Sequence, residues 1–372
     1  MSNKYELTSE TREVQGSTLY RIRSLKDFGN VFKGELGGFV ASESNLSQEG
    51  NAWVSCNARV FGNALVFGNA WVYGNAQVFG NAWVSGNAQV FGNAQVFGNA
   101  WVSGNAWVSD NAQVSGNALV SNDAWVSGNA WVSGNAWVFG YAWVPDNAQV
   151  FGDAQVSGDA RVSDNAQVFG TARVSGDAQV SGDAHVSGNA QVYGDALVSG
   201  NARVSGNALV SGDALVSGDA WVSGNAWVSD NAQVFGDAWV SGDAWLSGDA
   251  RVSDNAQVFG TARVSGDAQV SGDALVFGNA LVFGDAWVSG NARVFCDACV
   301  DKHLTVATRS DNCTFVVTND TDGVLRVCAG FRYFTIEEAI EHWETTMGGT
   351  QLGIESIAIV NHLVNMWHIT NA

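Results

Sequence analysis

The middle of this chain is built from one six-residue unit that repeats without an insertion or deletion. Residues 51–302 divide into 42 consecutive hexads of the form N/D-A-x-V-S/F-G. Ala occupies the second position of every hexad, and Val occupies the fourth position except where Leu246 replaces it. Self-similarity at a fixed period indicates a solenoid or an array, because each unit can bury its apolar side only against its neighbours.

The chemistry of the hexad predicts a short strand followed by a bend. Ala and Val lie two residues apart, so they point to one side of an extended strand while the variable residue between them points to the other. The Gly-Asn and Gly-Asp pairs favour a turn, because all three residue types tolerate left-handed backbone angles. Stacked coils bury the Ala and Val side chains that a single hexad leaves exposed.

The hexads resemble the repeat of the left-handed parallel β-helix, in which three hexapeptides make one 18-residue coil. That resemblance covers about two thirds of the chain and implies an all-β solenoid of about 14 coils. Residues 159–184 and 249–274 are identical, and their offset of 90 residues equals five such coils. Near-identity of this kind suggests recent duplication.

The ends of the chain carry a second resemblance. The stretch SLKDFGNVFKGELGGFVASESNLSQEGNAWV at residues 24–54 resembles uncharacterised YdcK-type proteins of enterobacteria and their prophages. The stretch FRYFTIEEAIEHW at residues 331–343 resembles a segment of phage and prophage proteins. These resemblances imply a phage or prophage origin and no particular activity.

Three regions follow from these patterns. Residues 1–50 are predicted to form an N-terminal cap and first coil, residues 51–302 the β-helix, and residues 303–372 a small α+β C-terminal cap domain. Within the N-terminal cap, residues 18–25 alternate in the manner of a strand. Solenoids need ends that do not aggregate, so capped ends argue against an endless filament.

The C-terminal domain has its own local signals. Residues 313–318 and 323–328 predict a β-hairpin. Thr335 and Glu338 predict a capping box at the start of a helix that ends at Gly348-Gly349. A second amphipathic helix is predicted over residues 354–367.

The variable residue of each hexad is predicted to face solvent, and three hexads per coil sort these residues onto three faces. Face one starts at Trp53, face two starts at Arg59 and is mostly polar, and face three starts at Leu65 and is the most apolar. We predict a partner or oligomer surface on face three, formed by Leu65, Trp83, Trp101, Leu119, Trp137, Leu209, Trp227 and Trp245. Face one carries a second Trp set, formed by Trp107, Trp125 and Trp143.

An apolar strip of this length exceeds what a soluble monomer usually exposes. Three interpretations remain open at this point. The Trp side chains stack on one another and so bury themselves; or face three lies inside a homo-oligomer, with a trimer favoured; or the strip binds a partner protein or a sugar.

The acidic residues are also ordered. The formal net charge is −19, and the hexads contain 21 Asp and no Glu against seven Arg and one Lys. An acidic corner is predicted from Asp residues at 18-residue spacing: Asp159, Asp177, Asp195, Asp213, Asp249, Asp267 and Asp285. These carboxylates are solvated turn residues, or bridge calcium, or form an anionic rod that imitates nucleic acid. Direct nucleic-acid binding is not expected of an acidic chain.

Catalytic chemistry has little support in the sequence. The repeat resembles that of hexapeptide-repeat acyltransferases, which place a catalytic His beside a loop that interrupts the hexads. In this chain no loop interrupts the hexads, and His185 is the only His within them. Cys296 and Cys299, together with Cys313 and Cys328, offer a candidate zinc set, provided that the hairpin places Cys313 opposite Cys328. Independent thiols are the alternative. We predict no catalytic residue and no cofactor.

The sequence therefore predicts a non-enzymatic phage or prophage protein, an acidic Trp-lined rod that engages a host protein and inhibits a host or defence factor. A structural or glycan-binding phage component and a divergent acyltransferase are the alternatives. The chain has no apolar run of about 18 residues and no apolar stretch near its start, so we expect neither a membrane span nor a secretory signal. The expected location is the cytoplasm of the bacterial host.

Overall fold

The computed structural model describes residues 3–295, 298–300, 305–320, 322–330 and 332–370. The chain forms two compact units, Met1–Gly194 and Asp195–Ala372. The repeats contribute eight 18-residue coils to the first unit and six to the second, which confirms the predicted parallel β-solenoid of 14 coils. The predicted limit between the β-helix and the C-terminal domain, at residues 302 and 303, lies outside the described residues.

The first unit opens with three strands: β1 (Tyr5–Val14), β2 (Ser17–Ser24) and β3 (Leu36–Val40). β2 confirms the strand predicted at residues 18–25. The strands β1 and β2 form an antiparallel hairpin, and β3 runs antiparallel to β2. A 3₁₀ turn at Glu43–Asn45 then leads into the repeats.

Each hexad forms one two-residue strand from its third and fourth residues. These strands run from β4 (Trp53–Val54) to β44 (Arg293–Val294), and β45 (Ala298–Val300) occupies the last hexad. Within each unit, every strand pairs in parallel with the strand 18 residues later, as Trp83 pairs with Trp101. The backbone N–H of Leu65 donates to the carbonyl of Ala82 at 3.0 Å, and the N–H of Phe67 to that of Val84.

The inner wall of the solenoid consists of Ala and Val alone, apart from Leu246. Each of these Ala and Val side chains is buried, almost all at 0% exposure. The sixth residue of the hexad takes a left-handed conformation, and at Gly98, φ is +73°. A Cβ on Gly98 would lie 3.0 Å from the backbone nitrogen of Gly116 in the next coil. Glycine therefore satisfies both the angle and the coil spacing.

The N-terminal cap covers the start of the solenoid through β3. Phe39 of β3 pairs in parallel with Arg59, which places β3 on the sheet of face two. Trp53 was predicted to face solvent, but it is fully buried. Its ring packs edge-on against Tyr5 and Phe28, with ring centroids 6.4 Å and 5.4 Å away. The cap therefore covers face one at the first coil, whereas in later coils the residues of this face are accessible to solvent.

The buried amine of Lys4 anchors this cap. Its Nζ donates to the carbonyl of Ala52 at 2.9 Å and to that of Glu49 at 3.3 Å, and it lies 5.1 Å from the ring centroid of Phe28. Burial, aided by Lys26, lowers the pKa of Lys4 to about 8.

The second unit ends in an α+β domain. Its strands are β46 (Thr305–Thr308), β47 (Thr314–Asp320), β48 (Leu325–Ala329) and β49 (Arg332–Thr335), and its helices are α1 (Ile336–Met347) and α2 (Gln351–Thr370). The strands β46 to β49 pair antiparallel in chain order, and β45 pairs with β47. The last coil therefore continues directly into the sheet of this domain.

The helices of this domain form as the sequence predicts. The side chain of Thr335 accepts from the N–H of Glu338, and the carboxylate of Glu338 accepts from the N–H of Thr335. α1 ends at Gly348. α2 is longer than predicted, by three residues at each end. Both helices bury their apolar sides on β47 and β48, around Phe315 and Trp343.

No helix in the described parts of the chain combines the length and the apolar character that a bilayer span requires.

Candidate binding surface

Each of the three faces is a β-sheet of parallel strands, and the predicted Trp sets lie on faces one and three. On face three, strand pairing joins Leu65, Trp83, Trp101, Leu119 and Trp137 in sequence within the first unit. In the second unit it joins Leu209, Trp227 and Trp245. On face one it joins Trp107, Trp125 and Trp143. These side chains form columns that follow the stacking direction of the coils.

Face two, although mostly polar, also carries Trp residues, and two of them form a column. Trp131 pairs with Gln113 and Gln149. Trp221 pairs with Trp239, and their rings stack with centroids 5.3 Å apart. The 18-residue spacing alone identifies all three, so the signal was present in the sequence.

Serine at the fifth hexad position holds the indole of the next coil. The indole Nε1 of Trp101 donates to Oγ of Ser85 at 3.0 Å. The same bond, always to the residue 16 positions earlier, recurs for Trp125, Trp131, Trp143, Trp221, Trp227 and Trp239 at 3.1–3.4 Å. The bond satisfies the one polar atom of each ring, which is the usual requirement for a packed Trp.

Phenylalanine at the same position turns the indole instead. Trp83 lies one coil after Phe67, and the two rings meet edge to face at 83°. Trp83 is consequently tilted by 72° from Trp101, which lies over a serine. Where two successive Trp residues both follow a serine, as Trp227 and Trp245 do, their rings stack in parallel at 5.0 Å and 5°. The fifth residue therefore correlates with the orientation of the Trp in the next coil.

Phenylalanine columns form beside the Trp columns. Phe61, Phe79 and Phe97 stack with successive centroids 5.0 Å apart. Phe259, Phe277 and Phe295 stack in the second unit with successive centroids 5.1 Å and 5.2 Å apart. Phe295 also packs against Val316 and Cys328 of the C-terminal domain. The variation between Ser and Phe at the fifth position is visible in the sequence, but its effect on the Trp of the next coil becomes apparent only from the stacking of the coils.

Arginine closes two of the Trp columns. The guanidinium of Arg161 lies 4.3 Å from the ring centroid of Trp143, and that of Arg263 lies 5.3 Å from the ring of Trp245. Each Arg stands at the third position of the next hexad on the same face, so the solenoid itself places cations on indole faces. Such contacts are worth about 0.5–2 kcal/mol each.

The corners of the solenoid carry amide ladders. The Nδ2 of Asn81 donates to Oδ1 of Asn99 at 3.0 Å, and Asn99 donates in the same way to Asn117 at 2.9 Å. The ladder continues through Asn135 and ends at Asp153. Because a carboxylate only accepts, each Asp terminates the ladder and fixes its direction.

The predicted acidic corner lies where amide ladders give way to carboxylates. Asp159 and Asp177 occupy it in the first unit, and Asp195, Asp213, Asp249, Asp267 and Asp285 occupy it in the second. Asp249 accepts from Nδ2 of Asn231 at 2.8 Å. Among the described residues, no group of three or more His, Cys, Asp or Glu side chains is arranged to hold a metal ion.

The pairing proposed for the candidate zinc set is wrong. Cys328 pairs with Val316, not with Cys313. The strand β47 continues to Asp320, whose carboxylate accepts the N–H groups of Asp322 and Val324, so the turn is tighter than predicted and the register shifts. Cys299 lies on face three beside Leu281, and Cys296 lies outside the described residues.

A polar groove lies between the N-terminal cap and the first coils. It has a volume of about 470 Å³. The residues that line it carry no charge: Asn30, Ser55, Asn69, Trp71, Tyr73, Asn87 and Gln89. The hydroxyl of Tyr73 donates to Oε1 of Gln89 at 3.1 Å, which fixes both side chains.

The chain was compared with known proteins. A family model described as the YdcK β-solenoid repeat matches the solenoid in nine segments, at residues 58–74, 76–92, 94–110, 112–128, 154–170, 178–194, 190–212, 202–218 and 268–284. No curated protein matches the chain. Eight of the nine segments are 17 residues long, close to one 18-residue coil, and all nine start at the same hexad position, so the chain carries YdcK-type β-solenoid repeats.

Proposed function

We propose that this protein acts by binding and not by catalysis, and that the Trp columns of its solenoid engage a partner protein. Ten Trp side chains of the repeats remain 39–47% exposed, which is the observation that carries the proposal. Among them, the side chains that donate Nε1 to a serine present a flat apolar surface with its polar atom already satisfied: Trp101, Trp125, Trp131, Trp221, Trp227 and Trp239. Exposed Trp side chains of this kind dominate protein interfaces.

The regularity of the coils supports a binding role. Each described hexad supplies one strand and one turn and continues into the next without an inserted loop. His185 lies on face two beside Phe169, with ring centroids 6.3 Å apart. A divergent acyltransferase is the alternative. Turnover of acetyl-CoA with amine or hydroxyl acceptors, lost in His185→Ala, would establish it.

The distribution of Trp favours a partner over a trimer as the reason for these columns. Trp125, Trp131 and Trp137 follow one another at six-residue spacing and lie on faces one, two and three. A trimer with face three inside covers only the last of them. We therefore assign the columns to a heterologous partner, and homo-oligomerisation remains a separate proposal that light scattering tests.

We further propose that the partner is a bacterial host protein whose activity this chain inhibits. The charge of −19 and the resemblance of the chain ends to prophage proteins support this form of the proposal.

The test is retention of a host protein by the tagged full chain, with three variants as comparators. Trp83, Trp101 and Trp137 are replaced by Gln, which other hexads already carry at this position. The matched control replaces Gln77, Gln95 and Gln113, on face two, by Arg, also native there. A third variant replaces Trp221, Trp227 and Trp239 by Gln. A stoichiometric partner that either Trp variant loses and the control keeps supports the proposal. A partner that all variants retain equally, or no partner at all, contradicts it.

The uncharged groove beside the N-terminal cap favours a second candidate function, glycan binding. Amide groups and two aromatic rings line it, which suits the hydroxyl groups and the apolar ring face of a neutral sugar. A glycan array with Trp71→Gln as the comparator tests this candidate. If Trp71→Gln binds the same glycans as the native chain, the sugar site lies outside this groove.

A further inference from the structure

Two adjacent Trp columns flank one corner of the second unit. Trp221 and Trp239 stack on face two, and Trp227 and Trp245 stack on face three. The turn between the faces contains Asn225, whose Nδ2 donates to Oδ1 of Asp243 at 2.8 Å. We call these four Trp residues the Trp corner.

The Trp corner is fixed and open to solvent at once. The indoles of Trp221, Trp227 and Trp239 donate to Ser205, Ser211 and Ser223. The same three rings remain 41%, 39% and 41% exposed. The rings of each pair lie within 10° of parallel, so each column shows an aligned aromatic edge and surface. A ligand that stacks on them meets a surface that needs no rearrangement.

The charge around the Trp corner is strongly negative. Residues 213–254 contain seven Asp and one Arg, and no other charged side chain, for a net charge of −6. Asp219 and Asp237 start the two hexads that carry Trp221 and Trp239, while Asp243 and Asp249 flank Trp245. By contrast, residues 57–122, which carry Trp83 and Trp101, contain one Arg and one Asp and are neutral.

The chain already shows which cation fits an indole column. Arg263 places its guanidinium on Trp245, and Arg161 does the same on Trp143. A planar guanidinium stacks on an indole while its N–H groups remain able to bond carboxylates, which an ammonium does less well. The Trp corner offers aromatic surface and carboxylates together.

We propose that the Trp corner binds an arginine-rich, extended segment of a partner protein, with guanidinium groups stacked on the indoles and paired with Asp219, Asp237, Asp243 and Asp249. This inference rests on the proposed binding function and names the chemistry of the partner. Charge complementarity selects the segment, and stacking selects arginine over lysine.

The experiment titrates the full chain with a nine-residue arginine peptide and with lysine and glutamate peptides of the same length, followed by Trp fluorescence and calorimetry at two salt concentrations. One variant carries Trp221→Gln, Trp227→Gln and Trp239→Gln. A second carries Asp237→Asn and Asp243→Asn. The matched control carries Gln77→Leu and Gln95→Leu on face two of the first unit, outside every Trp column, and Leu is native at this hexad position. Gln and Asn are native residues at these hexad positions, so the coils are expected to fold.

We expect the arginine peptide to bind more tightly than the lysine peptide, and the glutamate peptide not to bind. The Trp variant should lose about tenfold in affinity, and the Asp variant should lose affinity and show a weaker salt dependence. The control should bind within about twofold of the native chain. Equal affinity for arginine and lysine, an unaffected Trp variant, or an equal loss in the control would overturn the proposal.

The two proposals fail separately. A host protein that the Trp83, Trp101 and Trp137 variant loses, but that the Trp-corner variant retains, preserves the binding function and removes this inference. Peptide binding at the Trp corner without any retained host protein preserves the site and removes the proposed function.

Discussion

Replacing Phe67 by Ser should turn a neighbouring indole. In the native chain, the ring of Phe67 meets Trp83 edge-on, and Trp83 lies at 72° to Trp101 with centroids 5.9 Å apart. A serine at residue 67 offers Trp83 the acceptor that Ser85 offers Trp101. Trp83 should then rotate onto Trp101, as in the pair Trp227 and Trp245, at about 5 Å and nearly parallel.

The expected change in stability is small, because two terms oppose each other. Loss of the edge-to-face contact costs about 0.5–1.5 kcal/mol, and the new hydrogen bond returns a net of about 0.5–1.5 kcal/mol. The variant Phe67→Ala is the control, since it removes the ring and supplies no acceptor. It should be destabilised by about 1 kcal/mol relative to Phe67→Ser.

Near-UV circular dichroism, which reports coupling between indoles, and a crystal structure of Phe67→Ser provide the measurement. The serine variant should show a new coupling signal and a Trp83–Nε1 bond to the serine hydroxyl, and the alanine variant should show neither. If Trp83 remains edge-on to Trp101 in Phe67→Ser, the fifth hexad residue does not set the orientation of the Trp columns.

Three further predictions concern stability. Asn99→Asp keeps the bond from Asn81 and loses the bond to Asn117, so denaturant unfolding should show a loss of about 0.5–1.5 kcal/mol; an unchanged midpoint would show that the ladder does not contribute. The pKa of Lys4 is about 8 in the folded chain, below its ordinary value. Between pH 8 and pH 10 the unfolded state therefore binds more protons than the folded state, and the stability of the N-terminal cap should rise with pH over that window. Lys4→Met should remove this slope in hydrogen exchange of the cap, and a slope that survives would assign it to another group. The Arg309 guanidinium lowers the pKa of Asp311 to about 2, so the C-terminal domain should lose stability as pH falls from about 4 through 2, and Asp311→Asn should abolish that dependence in acid unfolding.

The sequence predicts the solenoid well because one physical constraint repeats in every hexad. In each hexad, Ala and Val flank the outward residue, and the αL turn residue comes last. Because every hexad repeats this pattern independently, a wrong assignment of strand and turn in one hexad would not change the prediction for the others. The assignment of Trp83 and Trp101 to one face needs only the 18-residue period. The same arithmetic places Trp221 and Trp239 on face two, where they are easily overlooked because most outward residues of that face are polar.

The parts that were mispredicted depend on contacts between segments far apart in the chain. Trp53 satisfies the outward pattern, but Tyr5 and Phe28 of the cap cover it. The hairpin register near Cys313 depends on the carboxylate of Asp320, which caps the turn and lengthens the strand by two residues. Neither effect is encoded in the local pattern of apolar residues.

The orientation of the indoles could be predicted from the sequence only in part. Ser85 and Phe67 stand 16 residues before the Trp that each one contacts. The relation is visible in the sequence once the coil length is known. It was missed because the fifth position looks interchangeable when only the strand and the turn are considered.

The 18-residue step between paired strands has a consequence for how such a gene changes length. Recombination between the identical segments at residues 159–184 and 249–274 would remove or add 90 residues, which is five whole coils. Every later residue then keeps its face, its ladder partner and its neighbour in the column. The gain or loss of a single hexad would instead move all later Trp residues to the adjacent face and break each column at that point. Whole-coil changes therefore alter the number of copies of a binding column while preserving the chemistry of each face, so valency can vary among relatives without any change in specificity.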